Sequence, residues 1–215
     1  MNHAHPKHKA LIAVASALLA ALALDARADV VTDWNDKAAD IVVEAKLGTP
    51  PAIRVLAVVQ TAVRDAVQAI DERQAAAPAT LEERAASLDA AVAAASRATL
   101  LKLLPAQQAK IDDAYRAALE RIADARGRST GIAVGEEAAA AVLAQRAGDR
   151  PSPAESYRPY TAAGAYVPTA APAAPQWAQR QPWLMSSAAQ FRPGAPPALT
   201  SEAWALDYAE VKALG

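Results

Sequence analysis

From Asp29 to about Gly148, apolar residues recur every three or four positions, which is the period of an α-helix. The stretch "DVVTDWNDKAADIVVEAKLG" predicts a first helix that opens at Thr32 or Asp33 and stops at Gly48, since glycine suits the position after a helix end. Thr49 followed by Pro50 and Pro51 is a typical opening for a second helix. In that helix Ile53, Leu56, Gln60, Val63, Val67 and Ile70 form a stripe, and Val55, Val58, Val59, Ala62 and Ala66 widen it. So broad an apolar surface predicts cover on more than one side. Thr61, Asp65 and Gln68 share its polar remainder.

A third helix is predicted from Thr80, with Glu83 three residues on as the partner in a capping box. Its stripe is Leu81, Leu88, Val92, Thr99 and Leu103, and Pro105 breaks it. Ile111, Tyr115, Ala118, Ile122 and Ala125 mark a fourth helix, with Gly127 as its stop. "STGIAVGEEAAAAVLAQRAGD" makes a fifth that ends at Gly148, and its Gly131 and Gly135 would allow a close helix–helix contact.

The texture then changes. Residues 149–199 hold most of the chain's fifteen prolines, interleaved with Tyr157, Tyr160, Tyr166, Trp177, Trp183 and Phe191. A flexible linker is rich in Gly and Ser and poor in aromatics. This stretch instead reads as an extended segment that packs on a surface. Residues 200–215 begin a helix capped by Thr200 or Ser201, with Glu202 in its first turn and Trp204, Tyr208 and Val211 on one side, which need a partner surface. The predicted fold class is all-α: a bundle of five main helices over 29–148, a Pro/Trp-rich extended segment over 149–199, and a terminal helix. High alanine content fits, because alanine loses no side-chain entropy in a helix.

The first residues form a separate object. Lys7 and Lys9 precede an apolar run over 11–24, and Ala26-Arg27-Ala28 is a small-x-small sequence. That is the three-part layout of a secretory signal peptide, 1–28, cleaved after Ala28. The run is shorter than the roughly 20 residues that span a bilayer. Export to a bacterial periplasm is the expected destination, with no membrane segment after cleavage. Cleavage removes Lys7, Lys9, Arg27 and Asp25 and takes the formal net charge from −1 to −3. It also removes His3, His5 and His8, and the chain has no cysteine.

That inventory excludes much chemistry. Without His or Cys, zinc, copper and haem ligation and a Ser–His nucleophile have no residues to use. Asp36, Asp40 and Glu44 share a helix face and could gather a cation, and Asp112-Asp113 and Glu136-Glu137 are adjacent pairs; a solvated helix face is the expected reading of all of them. Arg64-Asp65 is the most notable polar pair, read as a buried or edge salt bridge that fixes helix register. No basic stripe suggests nucleic acid.

Five pieces occur in a fixed order: "VTDWN", "PPAIRVLAVVQTAVRDAVQAID", "GIAVGEEAAAAVLAQRAGD", "AYVPT" and "QFRPGAPPALTSEAWALDYAEVKALG". Together they make the chain resemble the N-terminal part of bacterial vanadium-dependent haloperoxidase-like proteins of the type 2 phosphatidic acid phosphatase superfamily, over nearly all of 30–215. The resemblance implies an all-helical enzyme whose cage of Lys, Arg, Ser and a Gly amide holds vanadate or phosphate, with histidines as ligand and acid–base. The family writes that cage as K-x6-R-P, P-S-G-H and S-R-x5-H-x3-D. Here Arg158-Pro159 and Arg192-Pro193 are preceded, seven residues earlier, by Pro151 and Met185 rather than Lys. Pro151-Ser152-Pro153 is the nearest thing to P-S-G-H, and no His follows Ser96-Arg97. Gln60 stands where relatives often have His.

The resemblance therefore assigns no catalytic, cofactor-binding or metal-ligating residue to this chain. It implies the leading scaffold portion of a peroxidase that oxidises halide at bound vanadate, with the catalytic half absent and this chain alone inactive. Its implied partner is that catalytic half, and a homo-oligomer is a further partner class. An acid phosphatase of the same superfamily is the alternative within the family. Outside it stand an exported, non-catalytic helical interaction protein and an unrelated periplasmic helical sensor or adaptor.

Overall fold

Asp29 opens the first helix. Its carboxylate accepts a hydrogen bond from the Thr32 backbone N–H at 2.8 Å, which satisfies one of the free amides at a helix start. The structure, a computed structural model, describes residues 29–75, 86–149 and 156–215. The 1–28 leader, the Thr80–Glu83 capping box, Leu81 and the Pro151-Ser152-Pro153 motif lie outside the described residues. Among the described residues there are six α-helices and no strand, so the all-α class holds.

Helix α1, Val30–Glu44, buries Trp34, Ala38, Ile41 and Val42 along one stripe. It begins two to three residues earlier than predicted and ends before Gly48. The left-handed residue after it is Lys46, at φ 50°, rather than the glycine. Helix α2, Thr49–Ala75, opens on the predicted Thr-Pro-Pro sequence and spans about 40 Å at 1.5 Å per residue. Its buried face is Val55, Val58, Val59, Ala62, Val63, Ala66 and Ile70. The predicted stripe is thus rotated: Ile53 is exposed, while Leu56, Gln60 and Val67 flank the core.

Helix α3, Leu88–Leu103, starts at Ser87, whose Oγ accepts from the Ala90 N–H at 3.3 Å. Every residue from Ala90 to Ser96 is buried. A helix enclosed all round is a central one, and α3 rather than α2 takes that place. It packs against α1, α2 and helix α4, Gln108–Glu120. Alanines at 90, 91, 93, 94 and 95 make this feasible, because their small side chains let several neighbours approach at once.

Pro105 ends α3 as predicted and begins a 3-10 turn, Pro105–Gln107. Helix α4 then stops at Glu120, short of Gly127. Asp124 caps helix α5, Ala125–Gln145, by accepting from the Arg126 N–H at 3.0 Å. Gly127 falls inside α5, where its carbonyl accepts from the Ser87 N–H at 2.8 Å. Gly131 and Gly135 form the close contact expected of them. A Cβ on Gly131 would lie 2.3 Å from the Ser87 carbonyl oxygen, and one on Gly135 would lie 2.1 Å from that of Ala91.

Residues 145–215 form a second unit. Among its described residues only Arg146 is buried. The Arg146 guanidinium lies 3.7 Å from the Trp183 ring centre and its Nη1 donates to the carbonyls of Gln181 and Pro182 at 3.1 and 3.3 Å. Arg180 stacks at 4.8 Å on Trp177, which sits in a 3-10 turn, Pro175–Gln179. The prolines and aromatics are therefore organised by arginine–tryptophan stacks rather than by an apolar core. Helix α6, Glu202–Leu214, is capped by Ser201, one of the two predicted caps, whose Oγ accepts from the Trp204 N–H at 3.2 Å. No helix among the described residues is long and apolar enough to cross a membrane.

Candidate functional site

The acidic residues singled out in the sequence are dispersed. Asp36, Asp40 and Glu44 lie exposed along α1, and Glu44 pairs with Lys110 of α4. Asp113 pairs with Arg116 at 3.1 Å, and Glu137 with Arg73 at 4.0 Å. Among the described residues no group of three or more His, Cys, Asp or Glu is placed to hold a metal ion. Arg64 and Asp65 do bond, at 2.5 and 2.8 Å, but both belong to α2 and the pair faces solvent. A contact between adjacent residues of one helix cannot set the register of two, so the register role is not met. Gln60 does cross helices: its Nε2 donates to Asn35 Oδ1 of α1 at 2.9 Å.

Ser96 and Arg97 diverge, as neighbours on a helix must. Ser96 is fully buried, and its Oγ has no hydrogen-bond partner among the described residues. Arg97 leaves the core on the α4 side, where its Nε donates to Asp112 Oδ1 at 2.7 Å. Its guanidinium lies 4.9 Å from the centre of the Tyr115 ring. On α4, Asp112, Tyr115, Arg116 and Leu119 follow at helical spacing and share one face. Together with Arg97, Glu120 and Arg128 they line a groove of about 520 Å³. Arg128 comes from α5, and its Nη1 donates to the carbonyls of Leu119 and Ile122 at 3.4 Å each. Those carbonyls lie at the end of α4, the negative pole of that helix.

The groove's electrostatics follow from these contacts. The Arg97 guanidinium holds the Asp112 carboxyl below its ordinary 3.8, a hydrogen bond that outweighs the cost of desolvation. Tyr115 is pushed above its ordinary 10.0, chiefly by burial, with Arg97 opposing and Glu136 adding to the shift. In the sequence Asp112 reads as part of a solvated pair and Tyr115 as part of an apolar stripe. The periodic signal on α4 was available, but nothing in sequence places Arg97 or Arg128 beside it.

The other notable surface is α6. Every residue from Glu202 to Leu214 is exposed, and Trp204, Tyr208, Val211 and Leu214 show 43, 60, 68 and 82% of their surface. No family model matches the chain, and no curated protein and no solved structure is similar to it.

Proposed function

We propose that this chain is the N-terminal scaffold portion of an exported vanadium-dependent haloperoxidase-like enzyme, and that it contributes none of the oxyanion cage. The single observation that carries this reading is the surface of α6, where Trp204, Tyr208 and Val211 are presented to solvent and call for a neighbour. The ordered sequence pieces supply the identity of that neighbour, the domain bearing K-x6-R-P and P-S-G-H. Vanadate, when bound by the cage, would activate peroxide toward halide, and this chain's part is to hold helices in place around that domain.

The test is the nucleotide sequence beyond the codon for Gly215. Both motifs are expected within about two hundred codons, one more domain length. Their absence from every frame would remove the reading. A second reading, an exported helical interaction protein with no catalytic partner, draws on the closed core of residues 29–144, in which Trp34, Ile41, Val58, Val59 and Val92 are already fully buried. Under it, co-purification of the exported chain would recover a partner with no oxyanion motif.

A further inference from the structure

Helix α6 has two apolar sides, and the scaffold reading uses one. Trp204, Tyr208 and Val211 form the side assigned to the catalytic half. Leu206 lies on the opposite side, about 160° around the helix from Trp204. It is 64% exposed and shares its side with Glu202 and Glu210, four residues before and after it. One leucine in water needs no explanation. The rest of residues 145–215 does. Of the chain's four Trp, five Tyr and one Phe, all but Trp34 and Tyr115 lie in this unit, and none of those is buried. Aromatic rings supply much of the energy of cores and of interfaces, and this unit has no apolar core to hold them.

Charge indicates what covers it. Residues 145–199 hold five Arg against Asp149 and Glu155, a net +3, while residues 200–215 hold Glu202, Asp207 and Glu210 against Lys212, a net −2. Within the arm, residues 156–199, Arg158 and Arg192 are exposed and adjoin the exposed Tyr157 and Phe191. The arm thus pairs cations with rings, and α6 pairs carboxylates with Leu206. The two surfaces are complementary, yet both stand in water, so α6 is not covered by its own arm. Two copies related by a twofold axis can exchange them. Each α6 then lies on the other copy's arm, which makes the contact twice and leaves no open end. Residues 29–144 of a second copy offer less, since their large exposed apolar side chains are Val43, Ile53 and Leu88. An anionic membrane would repel Glu202 and Glu210. We propose that the chain forms a twofold dimer in which the side of α6 carrying Glu202, Leu206 and Glu210 packs on Tyr157, Arg158 and Arg192 of the other copy. The dimer leaves the Trp204 side open, so it is independent of the scaffold reading and would survive its failure.

The experiment measures the mass of the full chain by sedimentation equilibrium across about 1 to 100 μM, the range in which a modest interface dissociates. A monomer–dimer equilibrium is expected, and added salt should weaken it. Leu206→Glu should raise the dimer Kd about tenfold or more. Arg158→Glu with Arg192→Glu should raise it by about tenfold, and adding Glu202→Arg and Glu210→Arg to that pair should bring it back to within about threefold of the original. These side chains are exposed, so the core of residues 29–144 does not depend on them. Trp204→Ala, on the side left to the scaffold reading, should keep the Kd within about threefold. A chain that stays monomeric throughout, a monomer that holds a different protein, a dimer unmoved by Leu206→Glu or lost in Trp204→Ala, or a reversed-charge chain that stays monomeric would each overturn the proposal.

Discussion

At the scale of single residues, backbone conformation and local charge decide what a side chain contributes. Lys46 closes α1 in the left-handed region, where an L-residue's Cβ crowds the backbone at a cost of about 1–2 kcal/mol. Glycine carries no such cost, so Lys46→Gly should raise stability by about 1 kcal/mol, read as a higher urea midpoint. Asp112 acts in the opposite direction, through pH. Its folded-state pKa is lowered by Arg97, so the folded protein binds this proton less readily than the unfolded chain does. The stability it lends is fully present above the unfolded value near 3.8 and is lost as pH falls through the lowered folded value. In urea titrations over that acidic range, Asp112→Asn should show a shallower loss of stability with falling pH. An unchanged slope would mean that the Arg97–Asp112 bond does not form in solution.

At the scale of elements, the existence of the helices was largely legible in the sequence and their faces were not. Thr49-Pro50-Pro51, Pro105 and Ser201 mark helix limits through local chemistry, so they could be read directly. The buried faces of α2 and α3 depend on neighbours. Where Ala93, Ala94 and Ala95 stand in a row, apolar periodicity cannot choose a face, and only the surrounding helices do. The α4–α5 boundary was missed because Gly127 resembles a stop, while Asp124 supplied the cap three residues earlier. That α5 makes a close helix contact was legible from Gly131 and Gly135, but the partner, α3, was not. Adding a Cβ at Gly135 places it against the Ala91 backbone, which cannot move aside as a side chain would. Gly135→Ala should therefore cost about 1–3 kcal/mol through overpacking. Gly48→Ala, which meets nothing within 4 Å, should stay within about 0.5 kcal/mol in the same thermal or urea melt.

At the scale of the whole molecule, two units are held by different forces. Residues 29–144 bury an apolar core, whereas residues 145–215 are ordered around Arg146, Arg180 and their tryptophans. Arg146→Ala removes a buried cation, its stack on Trp183 and two carbonyl contacts. Hydrogen exchange around residues 177–183 should then speed up by an amount equivalent to roughly 1–3 kcal/mol, with the unfolding of residues 29–144 unaltered. The candidate groove was the least legible feature, because Arg97, Asp112 and Arg128 come from three helices and meet only in the fold. The scaffold reading is tested most directly by bromide oxidation with vanadate and peroxide. The chain alone is compared with the chain produced together with the polypeptide encoded directly after it. The account predicts no turnover from the chain alone and vanadate-dependent turnover from the pair. Vanadate-dependent turnover by the chain alone, or none from a well-folded pair, would contradict it.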